Sequence, residues 1–128
     1  MTHKIGILSE PRALTASEQE LATWLLEHGT AEAGQYLGQL NEAKVFAHCK
    51  CGCASVDFAI DGNRPKTFAM RVLADFQWTG DSGHLFGVFV FEQDGLLAGI
   101  DLWSIDGMAT PVTLPALGSL VPYGTPAT

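Results

Sequence analysis

Residues 84–105 constrain the fold more than any other stretch, because they form two apolar runs around a two-residue turn. The first run is Leu-Phe-Gly-Val-Phe-Val-Phe and the second is Leu-Leu-Ala-Gly-Ile-Asp-Leu-Trp. Asp94 and Gly95 stand between them, and both residue types tolerate the positive φ that a tight hairpin turn requires. The sequence therefore predicts a long antiparallel hairpin at the centre of a sheet.

The predicted register of this hairpin divides its side chains between two faces. With Asp94 and Gly95 as the turn, uninterrupted pairing places Val88 opposite Asp101 and Phe86 opposite Trp103. Both faces of the first strand are then apolar, which is typical of a strand covered on both sides. We expect helices on one face, and the chain's own tail, a second subunit or a ligand on the other.

Two helices are predicted before the strands begin. Thr15 and Glu18 have the spacing of a capping box, which starts a helix over about residues 16–28. Gly29 then separates it from a second amphipathic segment over about residues 31–40. Alternating apolar residues predict strands over 44–49, 55–60 and 67–78. The predicted fold is α+β, with an N-terminal helical hairpin packed on one face of a four- to five-stranded antiparallel meander sheet.

The length of 128 residues predicts one domain, 1–128, with enough core to fold without a cofactor. Residues 1–13 are expected to form an irregular lead-in, with a short edge strand at Lys4–Leu8 as an alternative. Residues 108–128 are rich in proline but also apolar, so we expect them to pack on the domain and to end in a mobile tail.

Charge and cysteine content limit the functional classes. The chain has 14 acidic and 7 basic residues, a formal net charge of −7, and no basic run that would contact phosphates. Nucleic-acid binding is therefore not expected. No signal peptide or membrane-spanning segment is predicted, and three cysteines within five residues do not resemble an extracellular disulfide framework. We expect a cytoplasmic protein.

The sharpest chemical lead is the segment His48-Cys-Lys-Cys-Gly-Cys53. Thiolates and imidazole suit Zn²⁺ or Cu⁺, so the candidate metal ligands are His48, Cys49, Cys51 and Cys53, with zinc as the possible cofactor. On a straight strand, cysteines two apart lie about 6.5–7 Å from each other, although Gly52 can bend the chain and bring Cys51 and Cys53 together. The preferred interpretation is that these small side chains pack as hydrophobes, and a Cys51–Cys53 disulfide is a third alternative.

A second lead is the face of the sheet opposite the helices. An apolar floor with a few polar groups is typical of a small-molecule pocket or a protein-docking surface. The candidate ligand- or partner-binding residues are Asp57, Arg71, Asp75, Phe86, Val88, Asp101 and Trp103. No catalytic residue is predicted, because no spacing forces Cys51, His84 and Asp75 into a triad.

Several motifs together resemble a family of small uncharacterised bacterial proteins, a domain of unknown function. They are Leu14-Thr15 followed by Glu18, Cys-Gly-Cys before Val-Asp-Phe, Leu85-Phe-Gly-Val, Asp94-Gly-Leu-Leu and Trp103-Ser-Ile-Asp-Gly107. The resemblance spans most of residues 14–123. It implies a bacterial cytosolic domain, and it carries no activity or site residues.

The sequence as a whole favours a non-enzymatic protein- or ligand-binding module that uses one face of its sheet, as a homodimer or with a protein partner. The alternative, from a different class, is a metal- or thiol-dependent protein built on Cys49, Cys51 and Cys53.

Overall fold

The computed structural model describes residues 5–126, with the side chain of Ile5 left out. They form a seven-stranded antiparallel sheet in the order β1-β2-β3-β6-β5-β4-β7. The strands are β1 (Ile5–Ala13), β2 (Ala43–Cys49), β3 (Val56–Ile60), β4 (Met70–Thr79), β5 (Leu85–Gln93), β6 (Leu96–Ser104) and β7 (Val121–Pro122). The helices are α1 (Ala16–Glu27), α2 (Leu37–Leu40) and two 3₁₀ segments, Ala33–Tyr36 and Leu117–Ser119.

The α+β class and the antiparallel sheet are confirmed, but the helical hairpin and the strand count are wrong. The second predicted helix consists of a 3₁₀ segment followed by one α-helical turn. Gly34 and Gly38 lie inside it, and each weakens a helix by about 1 kcal/mol relative to alanine. The lead-in predicted to be irregular contains β1, an edge strand whose pairing with β2 is interrupted between Ile7 and Arg12, where Pro11 lies.

A β-bulge changes the register of the central hairpin. Next to the turn the pairing is as predicted, with Gln93 opposite Leu96, but it shifts by one residue before Phe91 pairs with Gly99. Val88 consequently pairs with Leu102, and Phe86 pairs with Ser104. A shift of one residue moves side chains to the other face of a strand, so the predicted grouping of Phe86 and Val88 with Trp103 is wrong.

A second bulge, at Leu73 in β4, receives the end of α1. The Leu73 carbonyl accepts a 2.8 Å hydrogen bond from the Thr30 backbone N–H, and the Leu73 side chain is fully buried. A Cβ atom on Gly29 would overlap this carbonyl and lie 2.8 Å from the Ala74 Cβ atom. Gly29 therefore ends the helix by permitting close approach to the sheet.

One face of the sheet, called here the covered face, packs against α1 and against residues 108–120. The core on this side includes Leu21, Leu25 and Val88, all at most 1% exposed. Leu120 belongs to the same cluster, and the Ala54 N–H donates to the Pro111 carbonyl at 2.9 Å. Residues 33–40 and residues 108–120 thus cover parts of this face beside α1. The predicted mobility of the chain end includes residues 127 and 128, which lie outside the described residues.

The other face, called here the opposite face, carries aromatic rings set over glycines. Trp103 lies against Gly87, where an added Cβ atom would be 2.7 Å from its Cε2 atom. Phe91 similarly approaches Gly99. Trp103 also contacts Tyr123, with ring centroids 5.6 Å apart. Cross-strand packing therefore shields part of this face without a helix.

Candidate functional site

The loop between β2 and β3 gathers the three cysteines. β2 ends at Cys49 and β3 begins at Val56, so the loop has to reverse the chain within six residues. Gly52 adopts φ +91°, a left-handed conformation that other residues rarely take. This turn bends the chain away from the extended geometry that would keep the sulfurs apart.

The three sulfur atoms lie within 4.8 Å of one another. Cys49 and Cys51 form a disulfide, and Cys53 is a free thiol whose Sγ atom is 2.9 Å from the Sγ atom of Cys51. Cys51 is exposed, Cys49 is half-buried and Cys53 is buried. The loop therefore contains a disulfide and a neighbouring thiol, and its central cysteine, Cys51, is an exposed residue.

Backbone donors point at two of these sulfurs. The N–H of Cys51 donates to the Sγ atom of Cys49, and the N–H of Cys53 donates to the Sγ atom of Cys51, both at 3.3 Å. Donors in these positions favour negative charge on sulfur, as hydrogen bonds do at protein metal–thiolate centres.

Ser55 connects the loop to β6. Its hydroxyl oxygen accepts a 2.8 Å hydrogen bond from the Leu102 N–H and contacts the Cys53 thiol at 3.2 Å. It also donates to the Asp101 Oδ1 atom at 2.9 Å. Ser55 is a site residue that the sequence reasoning missed, because a serine at a strand start has no spacing that distinguishes it from a turn residue.

His48 is not part of the sulfur cluster. Among the described residues, the group close enough to share a metal ion contains the three cysteines alone. The His48 Nε2 atom instead lies 3.4 Å from the Arg12 Nε atom. Arg12 in turn makes two hydrogen bonds to Glu18, at 2.8 and 2.9 Å.

This ion pair lies where α1 begins. Burial raises the pKa of Glu18, but hydrogen bonds from Arg12 and from the Thr15 backbone outweigh that effect and lower the pKa below its ordinary value. The bond to Glu18 raises the pKa of Arg12. His48 therefore borders a structural ion pair and is not positioned as the fourth ligand.

The candidate partner-binding residues divide between the two faces. Phe86 and Val88 are buried in the core of the covered face. Arg71 lies beside that core, where it donates to the Tyr36 hydroxyl at 3.3 Å and pairs with Glu92 at 3.3 Å. These three residues do not share a surface with the remaining four.

The remaining candidates lie on the opposite face. The strand pairing puts Phe89 between Asp75 and Asp101, while Asp57 pairs with Gly99. Burial raises the pKa of Asp75. Trp103 follows in the next row, against Gly87. Asp57, Asp75, Asp101 and Trp103 thus share one sheet face, as predicted from their alternation.

The residues of the triad considered from the sequence do not form one site. The His84 Nδ1 atom lies 3.5 Å from the Asp106 Oδ2 atom, and Asp75 lies on the opposite face of the sheet. Cys51 is held within the three-cysteine loop.

Comparisons with known proteins found no matching family model, no similar curated protein and no similar solved structure. The resemblance to small bacterial proteins therefore stays a prediction from the sequence motifs. In the part of the chain that the structure describes, no helix has the length and apolar character needed to cross a bilayer.

Proposed function

We propose that the reduced protein binds one soft metal ion, Cu⁺ in preference to Zn²⁺, through the thiolates of Cys49, Cys51 and Cys53. The observation that carries this proposal is the convergence of the three sulfur atoms within 4.8 Å. Two sulfurs bound to one ion at about 2.3 Å each can lie up to about 4.6 Å apart. Three sulfurs around one ion at this distance lie about 4 Å apart. Once the disulfide is reduced, Cys49 and Cys51 therefore separate, and the 2.9 Å between the Cys51 and Cys53 Sγ atoms widens by about 1 Å.

The number of ligands supports Cu⁺ as the preferred ion. Soft thiolate sets select Cu⁺, whereas structural Zn²⁺ sites take four protein ligands. His48, the predicted fourth ligand, lies beside Arg12 and outside the cluster. A bound Zn²⁺ would need a water molecule as its fourth ligand.

The surroundings of the sulfurs also support a bound cation. The ion requires three deprotonated thiols, so it belongs to the form in which the Cys49–Cys51 disulfide is reduced. The backbone donors to Cys49 and Cys51 favour the thiolates. The cytoplasmic location expected from the sequence would keep the cysteines reduced.

The test is an anaerobic titration of the reduced protein with Cu⁺ held by a chromophoric chelator. We expect one ion per chain, and an affinity at least about tenfold lower for Cys49→Ser, Cys51→Ser and Cys53→Ser. His48→Ala is the matched control and should keep the wild-type affinity. A parallel titration with Zn²⁺ should give weaker binding.

Two results would overturn this proposal. One is failure of the wild-type protein to take any Cu⁺ from the chelator. The other is a loss of affinity in His48→Ala as large as that in Cys51→Ser.

We propose self-association as a second function, favoured by an apolar surface at the edge of β4. Met70 and Val72 are 49% and 36% exposed, and Phe68, which precedes the strand, is 96% exposed. β7 pairs only with Phe76 and Gln77, so the first half of β4 has no described strand on that side. Exposed apolar strand edges pair readily with another chain, and a second copy presents the same edge.

Light scattering after size exclusion tests this second function. We expect a dimer that Val72→Lys dissociates. Ile7→Lys is the matched control, because Ile7 is 62% exposed on the edge strand at the other end of the sheet. A wild-type protein that stays monomeric at high concentration would disprove the proposal.

A further inference from the structure

We propose that the three-cysteine loop is an internal disulfide relay, in which the disulfide moves between Cys49–Cys51 and Cys51–Cys53. This activity belongs to the oxidised protein and goes beyond metal binding by the reduced form. Cys51 is the shared central sulfur in both states, while Cys49 and Cys53 alternate as the free thiol.

The distances in the loop support a direct exchange. Thiol–disulfide exchange requires a thiolate to reach one sulfur of a disulfide. The free Cys53 Sγ atom lies 2.9 Å from the Cys51 Sγ atom, which belongs to the Cys49–Cys51 disulfide. The attacking atom is thus already in contact with the sulfur that it has to reach.

The reaction is balanced within the chain. Cys53 releases its proton to solvent, and the thiolate attacks the Cys51 Sγ atom. The Cys51–Cys53 bond forms as the Cys49–Cys51 bond breaks, and Cys49 leaves as a thiolate that takes up a proton. One disulfide and one thiol exist before and after the step, so no external oxidant or reductant is consumed.

The two disulfides close loops of the same length. Each joins cysteines that are two positions apart. The entropy of closing the loop is therefore nearly equal in the two states, and local contacts determine the ratio between them. We expect both states to be populated at equilibrium.

Ser55 is the positioning residue of this relay. Its hydroxyl accepts from the Cys53 thiol and donates to Asp101 in the structure. When Cys53 loses its proton, the Ser55 O–H can rotate and donate to the thiolate. This contact holds the Cys53 sulfur beside Cys51 during the exchange.

The relay changes the accessibility of the free thiol. Cys53 is buried, whereas Cys49 is half-buried. Exchange therefore transfers the reactive thiol from a buried position to a more accessible one, where a low-molecular-weight disulfide can reach it.

Lys50 makes the exchange measurable, because trypsin cleaves between Cys49 and Cys51. The protein is oxidised with glutathione disulfide in the presence of a chelator and incubated at different pH values. It is then quenched with acid, alkylated with N-ethylmaleimide and digested. A Cys49–Cys51 disulfide cross-links two tryptic peptides, whereas a Cys51–Cys53 disulfide lies within one peptide.

We expect label on both Cys49 and Cys53 and none on Cys51. The minor species should amount to at least about one tenth of the major one, a difference within ~1.4 kcal/mol. The rate of exchange should rise with pH, because the thiolate is the nucleophile. Ser55→Ala should slow the exchange at a given pH without changing which cysteines are labelled, and an unchanged rate would exclude the positioning role of Ser55.

Cys53→Ser is the matched control, because it keeps the Cys49–Cys51 pair and removes the attacking thiol. It should give only cross-linked peptides. Label confined to Cys53 in the wild-type protein at every pH would refute the relay, as would label on Cys51 or failure to form either disulfide. None of these results bears on Cu⁺ binding, which is measured on the reduced protein.

Discussion

Replacing Arg12 with methionine should show how much the fold depends on the ion pair between Arg12 and the buried Glu18. Arg12 holds Glu18 with two hydrogen bonds, and the Glu18 side chain is only 8% exposed. Methionine keeps the aliphatic packing of the arginine stem but leaves the carboxylate with the Thr15 backbone N–H as its described donor. The substitution therefore isolates the cost of a buried, poorly compensated charge.

The structure sets the expected magnitude. Breaking a buried ion pair by removing one partner costs about 3–5 kcal/mol. The Arg12 side chain is 33% exposed, so water can partly replace it, and we expect a loss of about 2–3 kcal/mol for Arg12→Met. Arg12→Met/Glu18→Gln removes the charge but retains an acceptor for Thr15, and should lose about 1 kcal/mol.

The pH dependence follows from the shift in the pKa of Glu18. In the wild-type protein this pKa is below its ordinary value of 4.5, so the stabilisation is present above that value and is lost as the pH falls through the folded-state pKa. Without Arg12, burial raises the pKa of Glu18 relative to wild type. The loss of unfolding free energy in Arg12→Met is therefore largest at neutral pH and decreases as the Glu18 carboxyl group protonates.

Urea unfolding monitored by circular dichroism at several pH values measures these differences. Wild-type protein and Arg12→Met should differ most near neutral pH and converge as the pH falls through the lowered folded-state pKa of Glu18. Glu18→Gln alone provides the fourth corner of a double-mutant cycle. A constant difference across this range, or a double variant less stable than Arg12→Met, would refute the reasoning.

Three further predictions concern other contacts. Gly87→Val should cost about 1–3 kcal/mol and change tryptophan fluorescence, because an added Cβ atom lies 2.7 Å from the Trp103 Cε2 atom; Gly118→Ala, with no atom near its Cβ position, is the control. Ser55→Ala should lower the unfolding free energy of the reduced protein by about 1–3 kcal/mol, because it leaves the buried Leu102 N–H without its acceptor; an unchanged urea midpoint would contradict this. Three hydrogen bonds, from the Thr67 side chain, the Thr67 backbone and the Lys66 backbone, lower the pKa of Asp94. Thr67→Val removes the first of them and should raise this pKa. NMR titration of the carboxyl group measures the change, and an unmoved pKa would disprove the prediction.

The cysteine loop was predictable only in part. The position of Gly52 between two cysteines indicated a bend that brings Cys51 and Cys53 together, and this depends on neighbouring residues alone. The structure places Cys49, one of the predicted ligands, in the same cluster, whereas His48 lies beside Arg12 and outside it. The contact between Ser55 and β6 joins residues 47 positions apart, so local spacing could not indicate it.

The sequence by itself determined the features that arise within a few residues. Asp94 and Gly95 take φ values of 55° and 77° in the predicted turn, and Thr15 and Glu18 form the predicted capping box. Only the tertiary structure decided which side chains share a face. A bulge adds one residue to a strand at little local cost. Because side chains alternate with a period of two, each bulge moves the side chains that follow it to the other face relative to the neighbouring strand. The bulge at Leu73 separates Arg71 from Asp75, and the bulge between Leu97 and Gly99 separates Phe86 and Val88 from Trp103.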